Sequence, residues 1–339
     1  MRRRVWYSVL ILDAVSSFIV GLPSMIRAVD HNVMEPTNIY DWDFYDSIVE
    51  LPAPRPSSEV TPVSYLIAKA RLLRPLGAVV DFINSPQHDS YETALKIDEQ
   101  LSKAYSQMPP HIRIRNIEQT AKYSAATVNR MVQIEFLFHH GVCVLHRRFL
   151  VRNRPDNRFA HSRRQCIKSA LAMLNQQSIL YQVAKRTDSV QSLYWFRISS
   201  INQAFIFPAV ILCLDLRYRR ERLTNDNNLT SFPGVAQEKD LIDALRSAYC
   251  MWEESKDLSS DAWKAFQVLS QLLENLGIDT KGDDHWTPRR PKPPSSIPAQ
   301  SLAPINDKSI RHEDMGISID EMDIDWVSPY VLSSVYYCS

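Results

Sequence analysis

His139, Cys143 and His146 recur at i, i+4 and i+7, on one face of a helix that apolar periodicity predicts over 117–151. Three soft or borderline ligands in such a stripe suit zinc or copper, with His140 or the distant Cys166 to complete the shell. A single helix rarely wraps three ligands around one ion, however, and the same face carries Phe136 and Phe149. The favoured reading is a packed cysteine with hydrogen-bonded histidines, so no metal ligand is assigned in this chain.

The other catalytic patterns are weaker. No G-x-S-x-G elbow, H-E-x-x-H helix or G-x-G-x-x-G turn occurs. Gly277 to Gly282 imitates the spacing of a phosphate-binding loop, but Asp283 and Asp284 follow where Lys and Ser/Thr must meet phosphate and magnesium. No catalytic residue is assigned, and the chain is not read as an enzyme. Arg147, Arg148, Arg152, Arg154, Arg158, Arg163 and Arg164 form a basic stretch able to grip phosphates or an acidic partner. A helix end and a solvated loop explain it more simply, because basic residues in a last turn meet the helix dipole favourably.

Eight helical blocks must position these groups: about 2–21, 62–84, 90–107, 117–151, 162–186, 190–218, 235–254 and 260–276. No comparable run alternates apolar with polar residues, so the fold class is all-α. Composition agrees. Seven glycines in 339 residues is about 2% against a usual ~7%, which leaves little for hairpins or phosphate-cradling loops. The net charge of +1 argues against a general polyanion binder. Five widely spaced cysteines form neither a disulfide framework nor a C-x-x-C zinc pair, and suit a reducing interior.

Both ends of the chain call for separate readings. Arg2-Arg3-Arg4 followed by Val5 to Leu12 imitates a signal anchor, but extending the apolar run to Leu22 places Asp13 near a bilayer midplane at a cost of roughly 2.5–3.5 kcal/mol. The preferred reading is an apolar helix of a soluble core, stopped by Gly21 and Pro23. Six of the seventeen residues from Pro288 to Pro304 are proline, which predicts a disordered linker, and Arg289 to Pro293 has the character of a nuclear import signal. Residues 305–339 carry a net charge of −5 and mix Asp320, Glu321, Asp323 and Asp325 with Trp326, the pattern either of an acidic activation segment docking on a coactivator or of a tail that its charge keeps soluble or that folds back on the core.

In order along the chain, several segments resemble one family. Arg3-Arg4-Val5-Trp6-Tyr7-Ser8-Val9-Leu10-Ile11-Leu12-Asp13, then Gly21-Leu22-Pro23, the acid-bearing Asp30 to Pro36, Leu101 to Pro109, the Leu145-His146-Arg147-Arg148-Phe149-Leu150 stretch, Ser162 to Ala172, and the helices around Phe205 to Leu216 and Ala244 to Leu276 are similar to the fungal-specific transcription factor domain. That domain is the middle homology region of zinc-binuclear-cluster regulators. The family motif falls on Arg3, Arg4, Trp6, Asp13, Gly21, Pro23, His146 and Arg147. Ala14 and Leu22 stand where the family commonly has arginine, so an ion-pair role is not carried over to them.

The resemblance implies a multi-helix regulatory domain over 1–277, a proline-rich linker over 278–304 and the acidic-aromatic tail over 305–339. It also implies a nuclear transcriptional regulator working through protein contacts, of the kind that governs a metabolic or secondary-metabolite gene cluster. Its expected partners are the transcription machinery or coactivators, full-length relatives, and a small-molecule effector held among Trp195, Phe196, Phe205 and Phe207. The family's six-cysteine zinc cluster is not among these residues. No cofactor is therefore expected here, direct specific DNA binding is not expected of this chain alone, and the chain reads as a truncated product or as a partner or decoy of longer relatives. The alternatives are an all-α enzyme with an unfamiliar site and a protein anchored in a membrane by residues 5–22.

Overall fold

The computed structural model describes residues 2–26, 32–43, 52–56, 58–85, 90–114, 117–151, 157–186, 204–225, 236–258 and 260–279. The helices are α1 (Arg2–Val20), α2 (Pro62–Asn84), α3 (Tyr91–Ser106), α4 (Ala125–His146), the short α5 (Arg148–Val151), α6 (Ala160–Arg186), α7 (Ile206–Asn225), α8 (Glu238–Ser255) and α9 (Ser260–Asn275). No strand occurs among the described residues, and the all-α expectation stands.

Local chemistry fixes the ends. Thr61 Oγ1 accepts hydrogen bonds from the amides of Val63 and Ser64 while Ser64 Oγ accepts from Thr61 N, and Pro62 fills the first helical position of α2. Ser90 caps α3 by accepting from Thr93 N. The predicted block 117–151 divides because Ser124 accepts from Thr127 N and starts α4 there, leaving a 3-10 turn over Ile117–Lys122 before it. Gly21 ends α1 in a left-handed conformation, φ 75°, with Leu22 N donating to Ser17 O at 2.8 Å. Gly277 does the same after α9, with φ 60° and Ile278 N donating to Leu273 O. Its place in a phosphate-loop-like sequence is thus a helix stop.

α4 and α6 form the spine. α2 and α3 pack on α4, α1 packs on α2, and α7 and α8 pack on α6 with α9 outside them. α4 is buried nearly all round from Val128 to His146, as a central helix must be. Gly141 lets it approach its neighbours: a Cβ there would lie 2.3 Å from Leu76 Cδ2 of α2 and 3.3 Å from Leu101 Cδ2 of α3. One continuous apolar core runs from Ile11 to Ile278.

Candidate functional site

The motif on α1 works as a pair of latches. Asp13 accepts from Ser24 Oγ and from Ile26 N at 2.8 Å, which folds the segment after Gly21 back on the helix. Burial would raise the pKa of this carboxyl, but the Ser24 and backbone hydrogen bonds hold it below its ordinary value. Arg4 donates to Ile39 O at 2.7 Å and pairs with Asp41, drawing the loop over 32–43 against the other end. Asn38 ties that loop to the connector before α2: its amide donates to the carbonyls of Arg55, Pro56 and Glu59 while its Oδ1 accepts from Thr61 and Ser64. Trp6 is half-buried, Gly21 is buried, and Arg3 and Pro23 are exposed.

α1 buries Tyr7, Ile11 and Phe18 in the core. Its opposite face is also apolar, with Val5, Val9 and Leu12 at 56, 45 and 68% exposure, followed by Leu22 and Met25. No helix among the described residues is long and apolar enough to cross a membrane.

The His139–Cys143–His146 stripe does not converge. His139 Nδ1 meets Ser169 Oγ at 3.2 Å, and burial, with Lys168 nearby, depresses its pKa to about 4. His140 lies among Phe18, Phe136 and Phe207, where burial and then Arg147 push it down to about 3. Cys143 Sγ turns to Cys166 O at 3.5 Å and Cys166 Sγ to Cys143 O at 3.8 Å across the α4–α6 contact. Burial, then Cys166, raises the Cys143 thiol well above its ordinary value, the opposite of what a thiolate ligand needs.

His146 joins a different group. Asp98 of α3, His146 at the end of α4 and His161 in the first turn of α6 bring one ligand atom each within 4.8 Å of one another. Asp98 Oδ2 lies 2.9 Å from His161 Nε2, and Oδ1 lies 3.4 Å from His146 Nε2. His146 Nδ1 meets Ser162 Oγ at 2.8 Å, and that hydroxyl donates to Tyr91 OH at 3.2 Å. Burial would raise the Asp98 pKa, but hydrogen bonds and charge from the two imidazoles bring it below its ordinary value. Sequence reasoning missed Asp98, His161, Ser162 and Tyr91. The available signal was register: Asp98 shares the buried face of α3 with Ala94, Ile97 and Leu101, where a carboxylate needs partners.

Three described arginines of the basic stretch pack against other elements. Arg147 lies over the Phe207 ring at 5.8 Å, Arg148 over Phe82 at 5.3 Å, and Arg163 bonds Asp215 of α7 at 2.7 Å. Arg158 and Arg164 are exposed, and Arg152 and Arg154 fall outside the described residues. Phe205 and Phe207 are fully packed, Phe205 edge-on against Phe136. Trp195 and Phe196, the other expected lining of an effector pocket, lie outside the described residues, as do residues 280–304 of the proline-rich linker and Asp320, Glu321, Asp323, Asp325 and Trp326, whereas Ile278, at the start of the expected linker, is buried in the core.

Comparison with known proteins places this architecture. Residues 1–110 match the fungal-specific transcription factor domain. The chain is 31% identical over 321 residues to a Zn(2)-C6 fungal-type transcription factor of Monascus ruber, covering 94% of this chain and 37% of that protein. It is 31% identical over 288 residues to another such factor, from Macrophomina phaseolina, covering 84% and 39% respectively. An equisetin cluster transcription factor of Fusarium heterosporum shares 27% over 310 residues, 90% of this chain and 44% of its own length. The chain therefore spans about two fifths of the length of these relatives. No solved structure matches it. Residues 1–110, with α1 and its motif residues Arg3, Arg4, Trp6 and Asp13, belong to the fungal-specific transcription factor domain family.

Proposed function

We propose that this chain is a regulatory part of a fungal transcriptional regulator, acting in the nucleus through protein contacts and not through catalysis. The observation that carries the reading is the family match over residues 1–110 together with similarity to named transcription factors along 94% of the chain. The geometry supports it. Motif residues Arg4 and Asp13 are spent on fastening loops to α1, and they leave Val5, Val9 and Leu12 as an exposed apolar row suited to protein contact. Some relatives are named for the pyrrolocin and equisetin clusters, which supports control of a metabolic gene cluster.

Residues 1–277 serve as the helical regulatory unit, 278–304 as a linker, and 305–339 as a segment that engages the transcription machinery. The five cysteines lie too far apart for the family's zinc cluster, so specific DNA recognition is not assigned to these residues. Fusing the full chain to an unrelated DNA-binding domain tests the proposal in a reporter strain. Reporter output should change, and the change should diminish when Asp320, Glu321, Asp323, Asp325 and Trp326 are replaced together. A fusion that leaves the reporter unaltered, or that stays outside the nucleus, refutes it.

A further inference from the structure

We infer that Asp98, His146 and His161 form a binding site for a divalent transition metal, Zn2+ foremost, that clamps α3, α4 and α6 together. The inference begins with a buried ring nitrogen. Ser162 Oγ gives its hydrogen to Tyr91 OH and therefore accepts from His146 Nδ1. His146 Nε2, on the other side of the ring, is fully buried, has no hydrogen bond of good geometry and faces Asp98 Oδ1 at 3.4 Å. A buried ring nitrogen and a carboxylate oxygen held face to face suit a cation shared between them.

The spacing is within reach of a metal ion. A tetrahedral zinc with bonds of about 2.1 Å sets neighbouring ligand atoms about 3.4 Å apart. His146 Nε2 and Asp98 Oδ1 already have that separation. His161 Nε2 is hydrogen-bonded to the other oxygen, Oδ2, at 2.9 Å, and exchanges that bond for the ion when the site fills. Its side chain is 41% exposed, against 9% for Asp98 and 0% for His146, so it has room to adjust. The same open side gives an entry path and leaves a fourth position for water.

The surroundings supply the outer shell that metal-bound imidazole requires. Ser162 fixes the His146 ring through Nδ1, and Tyr91, held edge-on between Phe149 and Phe159, fixes Ser162. Imidazole and carboxylate together suit zinc more than the alkaline-earth ions, which prefer all-oxygen shells. No cysteine takes part. The ligands come from three helices, one of them inside residues 1–110, so occupancy links the family-matched region to the rest of the core.

The test uses the full chain, stripped with a chelator and titrated with Zn2+ against a chromophoric zinc indicator, with Co2+ in parallel for its visible absorption. One equivalent should bind, and at a hundredfold excess over Kd the Tm should rise by about 5 °C. His161→Ala removes an exposed ring without opening the core and should weaken binding at least tenfold and abolish the Co2+ band. Asp98→Asn, which keeps volume and hydrogen-bonding reach, should do the same, whereas His139→Gln should leave both readouts unchanged. Failure of the stripped chain to take up zinc overturns the inference. So does undiminished uptake by the His161→Ala and Asp98→Asn chains.

Discussion

Replacing Asp215 by Asn should destabilise the fold more than any single change at an exposed ion pair. The Asp215 side chain is 1% exposed on α7 and is clasped by Arg163 of α6 and by Arg219 one turn along its own helix, both at 2.7 Å. Asn keeps the volume and removes the charge, so the guanidinium groups, 13 and 6% exposed, lose the carboxylate that neutralises them. Breaking a buried pair by removing one partner costs about 3–5 kcal/mol. Other contacts survive, among them Arg219 donating to Ala236 O at 2.8 Å and Arg163 lying over the Tyr218 ring at 4.4 Å. They place the expected loss at the lower end, about 3 kcal/mol.

For a folded unit of this size that loss corresponds to a fall in Tm of roughly 6–12 °C. Urea titration followed by far-UV circular dichroism gives the free energy directly, since wild type and variant bury the same surface and should share one slope. The triple replacement Arg163→Met, Asp215→Leu, Arg219→Met removes all three charges and should recover most of the loss, because well-packed apolar groups substitute for a buried ion cluster at little cost. A loss below about 1 kcal/mol for Asp215→Asn, or a triple variant no better than the single one, would refute the reasoning.

Other changes test other parts of the structure. His140 is neutral in the folded protein down to about pH 3, whereas in the unfolded chain it protonates near 6.5, so the unfolded state binds more protons in that window. Its contribution is complete above pH 6.5 and is lost as the pH falls, by about 2 kcal/mol at pH 5; His140→Leu should flatten that part of a stability–pH curve measured by urea titration. Gly277→Ala meets no atom within 4 Å, so its expected cost of about 1 kcal/mol reports the positive φ alone, and Gly277→Asn should cost less in the same assay. Gly141→Ala gains about 1 kcal/mol of helix propensity but drives a Cβ into the buried Leu76, and a net loss of about 1 kcal/mol is expected in thermal unfolding. Ser162→Ala should weaken zinc affinity by about tenfold in the indicator assay while leaving one equivalent bound, as loss of an outer-shell partner does.

The helices were legible where periodicity and a cap agree. α2 begins and ends at the predicted residues because Thr61, Pro62 and Ser64 lie together at its start. The block over 117–151 was read as one helix because apolar spacing continues through it, and Ser124 interrupts it by a hydrogen bond that periodicity does not register. α1 was half legible: its apolar residues announce a helix, but they encircle it, and only the packing of α2 shows that Tyr7, Ile11 and Phe18 face inward while Val5, Val9 and Leu12 do not.

The candidate metal cluster was hidden for a different reason. Spacing along a chain reveals ligands that one element carries, and His139, Cys143 and His146 satisfied that test while pointing to Ser169, Cys166 and Ser162. The atoms that do converge come from residues 98, 146 and 161, brought together only when α3 and α6 both pack on α4. Arg163 shows the same logic in its charge: read along the chain it belongs to a basic run, yet its partner Asp215 lies on another helix. What the sequence does carry is the mismatch itself, a charge at a position whose neighbours in the helical repeat are apolar. Asp98 among Ala94, Ile97 and Leu101, and Asp215 beside the buried Leu212 and Leu216, are both of that kind. In each case burial requires the missing partners to be supplied by another element, and a polar residue out of step with its helix is therefore the sequence feature that best locates buried chemistry in an all-helical fold.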